Sequence, residues 1–517
     1  MADRQVQARR HIRLSSWLRT FVIVVIYAAA MISTNTHFTI LDDESTIVAC
    51  AGRQPLTILQ DFVSGKPANE HPPLSEIFLH FWLAATNYSF FLLRVFANLF
   101  FIAGILITGL SSRKISGQGA YWATLAVGFL WPFAFQYGRI TGWYCFCMFL
   151  VAWLTWAYLR ILDDHDRWSW VSFGIAALLM VWSNYFGVVL LLLFLADLVI
   201  FHRKLAARRL RSLLVVTTLV AFSFLPLLNV ATFDLRHNTA PIASAIDLKN
   251  ALATFGFPVF SIFGSVAVAP WYLPLSIPIL VGTILLLAAI WFSSGRRWLI
   301  YFILAMVLLA LSGHMSVKRV LFLLPWLFLA IGISAASRTS RYSKLSVVAI
   351  AVLVVTGWIG IVSGKHYATA NLYEPWGKVA EVVAQDARRG ATIISVNPPF
   401  FLYLDYQLGL ESDTKAAETA YLGEAIYRSH GYAILQPDDW QTWAGKLHGK
   451  VVLVNGSGFS EQVEEQNGLN DALRLRCKVL GEYRAAPDPA ALWKARFAKD
   501  APILAYRTDV IWYDCPH

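Results

Sequence analysis

Over the first two thirds of the chain, hydrophobic residues do not alternate with polar ones; they run. Apolar stretches begin near Leu18, Phe91, Gly119, Gly142, Trp168, Phe186, Ser212, Trp271, Trp298, Val320 and Leu345. Crossing the hydrocarbon core takes about 20 apolar residues in helical form, so the pattern predicts eleven transmembrane helices. The pieces between Trp168 and Phe201 are the shortest and most closely spaced. The first run, about Leu18 to Phe38, follows a basic start but no small-residue cleavage site comes after it. It therefore reads as a retained first helix rather than a signal peptide.

The pattern changes near the end of the last run. Trp376 to Ala387 has a helical period, Ala391 to Val396 reads as a buried strand, and Lys450 to Asn455 as a second strand. Glu461 to Arg474 is again helical, and Ile503 to Tyr513 predicts an edge hairpin or pair of strands. The expected architecture is a polytopic α-helical membrane domain over residues 1–364, with a small soluble α/β domain over 365–517.

Composition agrees with the pattern. Of 517 residues 57% are hydrophobic and 15% charged, against about 25% charged in soluble proteins. The net charge of +11 divides into +14 before Gly364 and −3 after it. The basic excess thus belongs to the membrane part, where orientation explains it without nucleic acid. With a cytoplasmic N-terminus, nineteen Lys and Arg fall on inside loops and eight on outside loops, as the positive-inside rule requires. Eleven spans then place the loop 39–90, the segment from Thr232 to Ala269 and the C-terminal domain on the outer face. Of five cysteines, Cys145 and Cys147 lie in an apolar run as packing residues. Cys477 and Cys515 would pair in an oxidising compartment or else remain free, and the sequence leaves both open.

Chemistry concentrates on that outer face. Asp42, Asp43 and Glu44 follow the first run directly, and carboxylates at a membrane boundary are costly unless used. The same loop ends in Glu70-His71-Pro72-Pro73-Leu74. Two prolines suit a helix start, and Leu74 to Ala85 is amphipathic and too short to span, as an interfacial helix would be. Arg139, His314, Lys318 and Arg319 fall on the same side. Each cation alone suits an interfacial anchor with a snorkelling side chain; as a set around an acidic loop they suit a phosphate at the membrane surface.

These motifs together resemble the GT-C glycosyltransferases: the acids after the first helix, Glu70-His71-Pro72-Pro73-Leu74, and Arg319-Val320-Leu321-Phe322-Leu323-Leu324-Pro325-Trp326 late in the apolar part. Within that fold the chain is most similar to the protein O-mannosyltransferase and lipid A aminoarabinose transferase superfamily, in its bacterial branch of rhizobial lipopolysaccharide galacturonosyltransferase-like proteins. The resemblance covers about residues 15 to 365. It implies an inverting transfer of sugar from a polyprenyl-phosphate donor to a lipid, glycan or protein acceptor, at the periplasmic face of a bacterial inner membrane. It implies Asp43 as the catalytic acid of the loop with Glu44 beside it. The donor phosphate would be held by His71, Arg139, Lys318 and Arg319. Glu70 and His71 align with the pair before the prolines, where some members bind a divalent metal ion, the one cofactor candidate. The chain departs from those relatives at Asn69, where the mannosyltransferases have Asp, at Val320, where an aromatic is usual, and at Asn184, where His is frequent. A transporter or lipid flippase is the alternative class, but transport commonly needs ionisable residues near mid-membrane, and the apolar runs hold almost none.

Overall fold

The computed structural model describes residues 2–35, 42–64, 71–87, 89–163, 167–228, 255–268, 270, 272–312, 315–337, 340–363, 376–395, 398–409, 426–429, 432–435, 444–456, 460–485 and 508–516. The helical part opens with α1 (Ala2–Ser33), followed by α2 (Asp42–Gly52), α3 (Pro55–Val63) and α4 (Leu74–Ala85). Next come α5 (Phe90–Ser116), α6 (Gln118–Leu130), α7 (Pro132–Tyr137) and α8 (Trp143–Leu162). Then follow α9 (Arg167–Val181), α10 (Phe186–Phe201), α11 (Arg203–Arg208), α12 (Leu210–Phe224) and α13 (Phe257–Gly264). The last four are α14 (Leu273–Trp291), α15 (Arg296–Leu311), α16 (Leu324–Ala335), entered through a 3-10 stretch Lys318–Leu323, and α17 (Ser340–Ser363).

Within the described residues, each of the eleven apolar runs is helical. Among the described residues, six stretches are long and apolar enough to cross a membrane: Leu92–Ser116, Trp143–Leu162, Leu210–Leu227, Leu273–Trp291, Lys318–Ala335 and Arg341–Val362. Trp17–Ser33, Arg167–Val181 and Phe186–Phe201 are apolar but shorter.

The helices divide by burial. Nearly all of α8 and α16 is buried, whereas α12, α14 and α17 expose large apolar side chains such as Leu214, Phe222, Ile284 and Val355. That is the arrangement of two central helices inside a lipid-facing ring. Lipid tails are as apolar as leucine, so close packing and hydrogen bonds hold such a core rather than water exclusion. The Trp326 indole of α16 donates to Thr155 Oγ1 of α8 at 2.9 Å. At Gly332 an added Cβ would fall 2.0 Å from Thr124 Oγ1 of α6, so glycine is what permits that helix contact.

The segment between α1 and α5 is not an open loop. Asp42-Asp43-Glu44 forms the first turn of α2, a position where carboxylates are favoured by the helix dipole. The sequence expectation of an acidic loop is corrected to an acidic helix start. α4 has the bounds expected for the interfacial helix.

The C-terminal part contains α18 (Trp376–Arg388), β1 (Thr392–Ser395), α19 (Pro398–Leu408), β2 (Ile426–Ser429), β3 (Tyr432–Leu435), β4 (Gly449–Gly456), α20 (Ser460–Arg476), β5 (Lys478–Ala485) and β6 (Thr508–Cys515). The strands form one mixed sheet in the order β2-β3-β1-β4-β6-β5. β1 runs parallel to both β3 and β4, while β4–β6 and β6–β5 are antiparallel. Of the range expected to form an edge hairpin or pair of strands, Ile503 to Arg507 lie outside the described residues, and the rest belongs to β6, which is interior rather than at an edge. Cys477 and Cys515 form a disulfide at the end of the β5–β6 ladder.

The sheet unit is joined to the bundle through α19. Its residues Phe400, Tyr403 and Leu404 belong to the same buried cluster as Ile47 and Val48 of α2. The helix that begins with the acids is thereby packed between α4 and α19.

Candidate functional site

Glu44 is the centre of a buried polar network. Its side chain is 0% exposed. Oε2 accepts from Arg94 Nη2 at 2.6 Å, and Oε1 accepts from Arg94 Nε at 3.2 Å and from the Thr141 backbone N–H at 2.7 Å. The guanidinium and carboxylate thus meet in the two-pronged geometry that gives Arg–carboxylate pairs their strength. Arg94 continues to the Asn35 carbonyl at 2.9 Å, the Asn35 amide donates to Asn98 Oδ1 at 2.8 Å, and Asn98 Nδ2 donates to the Gly138 carbonyl at 3.2 Å. One charged pair therefore ties together the end of α1, the start of α2, the first turns of α5 and the turn between α7 and α8.

That turn, Gly138 to Gly142, is the scaffold of the site. Gly142 has φ +139°, a conformation that side-chain-bearing residues rarely adopt. A Cβ there would also come within 2.7 Å of Ile47 Cδ1 of α2. The same turn carries Arg139, which is 1% exposed. Its Nη1 donates to Thr34 Oγ1 at 3.0 Å, its Nε and Nη2 donate to the Phe135 carbonyl, both at 3.2 Å, and its guanidinium lies 4.5 Å from the Phe135 ring centroid. The residue expected at the surface as a phosphate ligand is buried instead.

Directly after the turn, Trp143 and Tyr144 open α8 with their ring centroids 4.2 Å apart. Trp143 collects the remaining motifs. The His71 ring meets it edge-on at 5.1 Å, and Phe322 of the 3-10 stretch lies at 5.9 Å. Phe186, which opens α10, reaches Phe322 at 5.8 Å. Tyr144 lies within electrostatic reach of both Arg319 and Glu44. The start of α4 is pinned to the same place, because the Leu74 N–H donates to the Trp182 carbonyl at 3.1 Å. Asn184, next along, accepts the Phe186 N–H on Oδ1 at 2.8 Å, a capping role for the residue that departs from the relatives' His. His80 Nδ1 and the Ala51 carbonyl, 2.9 Å apart, join α4 to α2.

The structure thus gathers Glu44, His71, Arg139 and Arg319 around the start of α8. Lys318 and Arg319 are half-buried in the 3-10 turn, and the Arg319 N–H donates to Ser316 Oγ at 3.4 Å. Asp43 is the second residue of α2; its side chain, together with Glu70 and His314, lies outside the described residues. Among the described residues no three His, Cys, Asp or Glu side chains cluster as a metal site would need. Two members were not singled out by their motifs. Arg94 stands five residues into an apolar helix, and a charge so placed needs a buried partner, which was the available signal. Tyr403, within electrostatic reach of Arg94 from α19, had no signal at all, since its approach depends on how the two units dock.

No protein-family model matches the chain, and no curated protein matches it. Among solved structures, ArnT from Cupriavidus metallidurans in the apo state superposes with a TM-score of 0.51 at 15% identity, covering 96% of this chain and 98% of that one. This chain has the GT-C fold. A second structure of that protein, bound to undecaprenyl phosphate, gives a TM-score of 0.48 at 13% identity over the same shares. Here α19 joins the sheet unit to the helical part through its contact with α2.

Proposed function

We propose that the chain is an inverting glycosyltransferase, moving a sugar from a polyprenyl-phosphate donor to a lipid, glycan or protein acceptor at the periplasmic face of a bacterial inner membrane. The observation that carries this reading is the convergence of α2, His71 and Arg319 on the start of α8, at one end of a GT-C bundle. Two features support the outer placement. The count of Lys and Arg favours it, and the Cys477–Cys515 disulfide is of a kind that persists in oxidising compartments.

In such a transfer an acceptor hydroxyl attacks the anomeric carbon and the lipid phosphate leaves. Phosphate is a weak base, so no acid is needed to protonate it, and one carboxylate within reach of the hydroxyl suffices as proton acceptor. A glycosidase, by contrast, needs two. Asp43 is assigned that role, since Glu44 has both oxygens engaged by Arg94 and Thr141. Glu44 acts through the backbone, fixing the first turn of α2 against the Gly138–Gly142 turn. Lys318, Arg319 and His71 hold the departing phosphate, the electrostatic contribution that commonly dominates catalysis. Arg139 adds its charge from its buried position.

The test is transfer by purified protein from a panel of labelled polyprenyl-phosphate sugars, with release of lipid phosphate followed in parallel. Asp43→Asn is expected to retain wild-type melting and to lose transfer by about 10²–10⁴-fold, the usual worth of a positioned base. Near-wild-type turnover in that variant would remove Asp43 from the role, and a wild type inactive on every donor would sink the reading itself.

A further inference from the structure

A second polar cluster lies at the other end of the bundle. Asp197, near the end of α10 and 6% exposed, accepts from the Tyr158 hydroxyl and from Arg297 Nη2. His202 Nε2 stands 3.8 Å from the same carboxylate. Tyr158 is fifteen residues beyond Trp143 on α8, so about 22 Å of helix separates this cluster from the site above. The Lys114–Asp163 pair, between the ends of α5 and α8, marks the same end.

Between α10 and α15 this cluster opens into a groove of about 620 Å³, within the range of small-molecule sites. The groove has two unlike halves. Toward the middle of the bundle it is walled by Leu193, Ala196, Ile300 and Leu304; toward the end it is walled by His202, Ser293, Arg296 and Arg297. Tyr301 is 6% exposed and lines it, and its buried hydroxyl approaches Asp197 and Arg297 without hydrogen-bond geometry to either. Arg297 Nε and His202 Nε2 are likewise buried with no hydrogen-bond partner. Buried polar atoms of this kind ordinarily have partners. The lining holds one carboxylate and two guanidiniums, so the polar end carries net positive charge beside an apolar channel.

We propose that this groove binds an anionic membrane phospholipid, its phosphate held by Arg296, Arg297 and the Tyr301 hydroxyl and one acyl chain lying along Leu193 and Leu304. A polar head beside an apolar slot is the shape of an amphiphile, and basic pockets between helices suit anionic headgroups. The site owes nothing to the chemistry at the opposite end, and its occupancy is measured without a sugar donor.

The full-length protein is purified from nanodiscs containing equal phosphatidylglycerol and phosphatidylcholine, and retained lipids are counted by native mass spectrometry. Wild type is expected to retain one phosphatidylglycerol in preference to phosphatidylcholine. Arg296→Gln should reduce that preference about fivefold, the worth of one arginine near a headgroup, and Asp197→Asn/Arg297→Gln, which removes the buried pair together, should abolish it. If the double variant does not fold, Arg296→Gln decides alone. The proposal is overturned by no preference in wild type, by an unchanged preference in folded variants, or by an equal loss in Lys114→Gln, which would mean diffuse surface charge. Displacement of the lipid by millimolar inorganic phosphate would also overturn it, since the groove would then take a free anion.

Discussion

Glu44 and Asp43 are neighbours with different work. Glu44 is enclosed and doubly engaged by Arg94, and removing one member of such a pair leaves a buried charge uncompensated, at a cost of about 3–5 kcal/mol. Glu44→Gln is therefore expected to lower the melting temperature and the yield of folded protein, with activity lost in proportion to folded material. Asp43→Asn should leave melting untouched. Thermal melting in detergent beside transfer rates separates the two; equal stability of both variants would return Glu44 to direct chemistry. Residue-level legibility followed the same division. The acids, His71 and Arg319 stood out because charged residues beside apolar runs demand a reason. The burial of Arg139 was not legible, because an arginine at the end of a span reads identically whether it faces water or packs under Thr34 and Phe135.

At the scale of elements, α4 was legible end to end because Pro72 and Pro73 start it and its apolar run is short. β5 was missed because its residues alternate between exposed and half-buried, with an irregularity between Val479 and Gly481, so no apolar run announces it. Covering by β5 is also what makes β6 interior. The sheet is fastened to α18 by Asp386, whose carboxylate accepts from Lys450 Nζ and from the Trp512 indole, both at 2.6 Å. Burial alone would raise the Asp386 pKa, but those two hydrogen bonds and the Lys450 charge outweigh it and hold the group below its ordinary value. A depressed carboxylate stabilises the fold fully above its unfolded pKa, about 3.9, and that contribution fades as pH falls through the lower folded value. Asp386→Asn should weaken protection of the β4 and β6 amides at pH 7 by about 1–3 kcal/mol, with a smaller further loss on acidification than wild type shows. Hydrogen exchange on the full chain, corrected for intrinsic rates, measures both; identical acid sensitivity in the variant would mean other carboxylates control the sheet.

The whole molecule is organised by its two ends. α8 carries the Glu44 network near its first residue and the Asp197 cluster near its last, with mainly apolar packing between, which is why the apolar helices read so directly from sequence. What sequence could not supply was the docking of the sheet unit, since the contact of α19 with α2 depends on two surfaces far apart in the chain. With the sidedness argued from charge and from the disulfide, Arg389 on the sheet unit and Lys204 in α11 face opposite compartments. Both are exposed, and the cysteines outside the disulfide, Cys50, Cys145 and Cys147, are buried, so introduced thiols report cleanly. A membrane-impermeant maleimide added to spheroplasts is expected to label Arg389→Cys and to leave Lys204→Cys unlabelled until the membrane is opened. The reverse pattern would put the Glu44 end in the cytoplasm, where no lipid-linked donor of the proposed orientation could reach it.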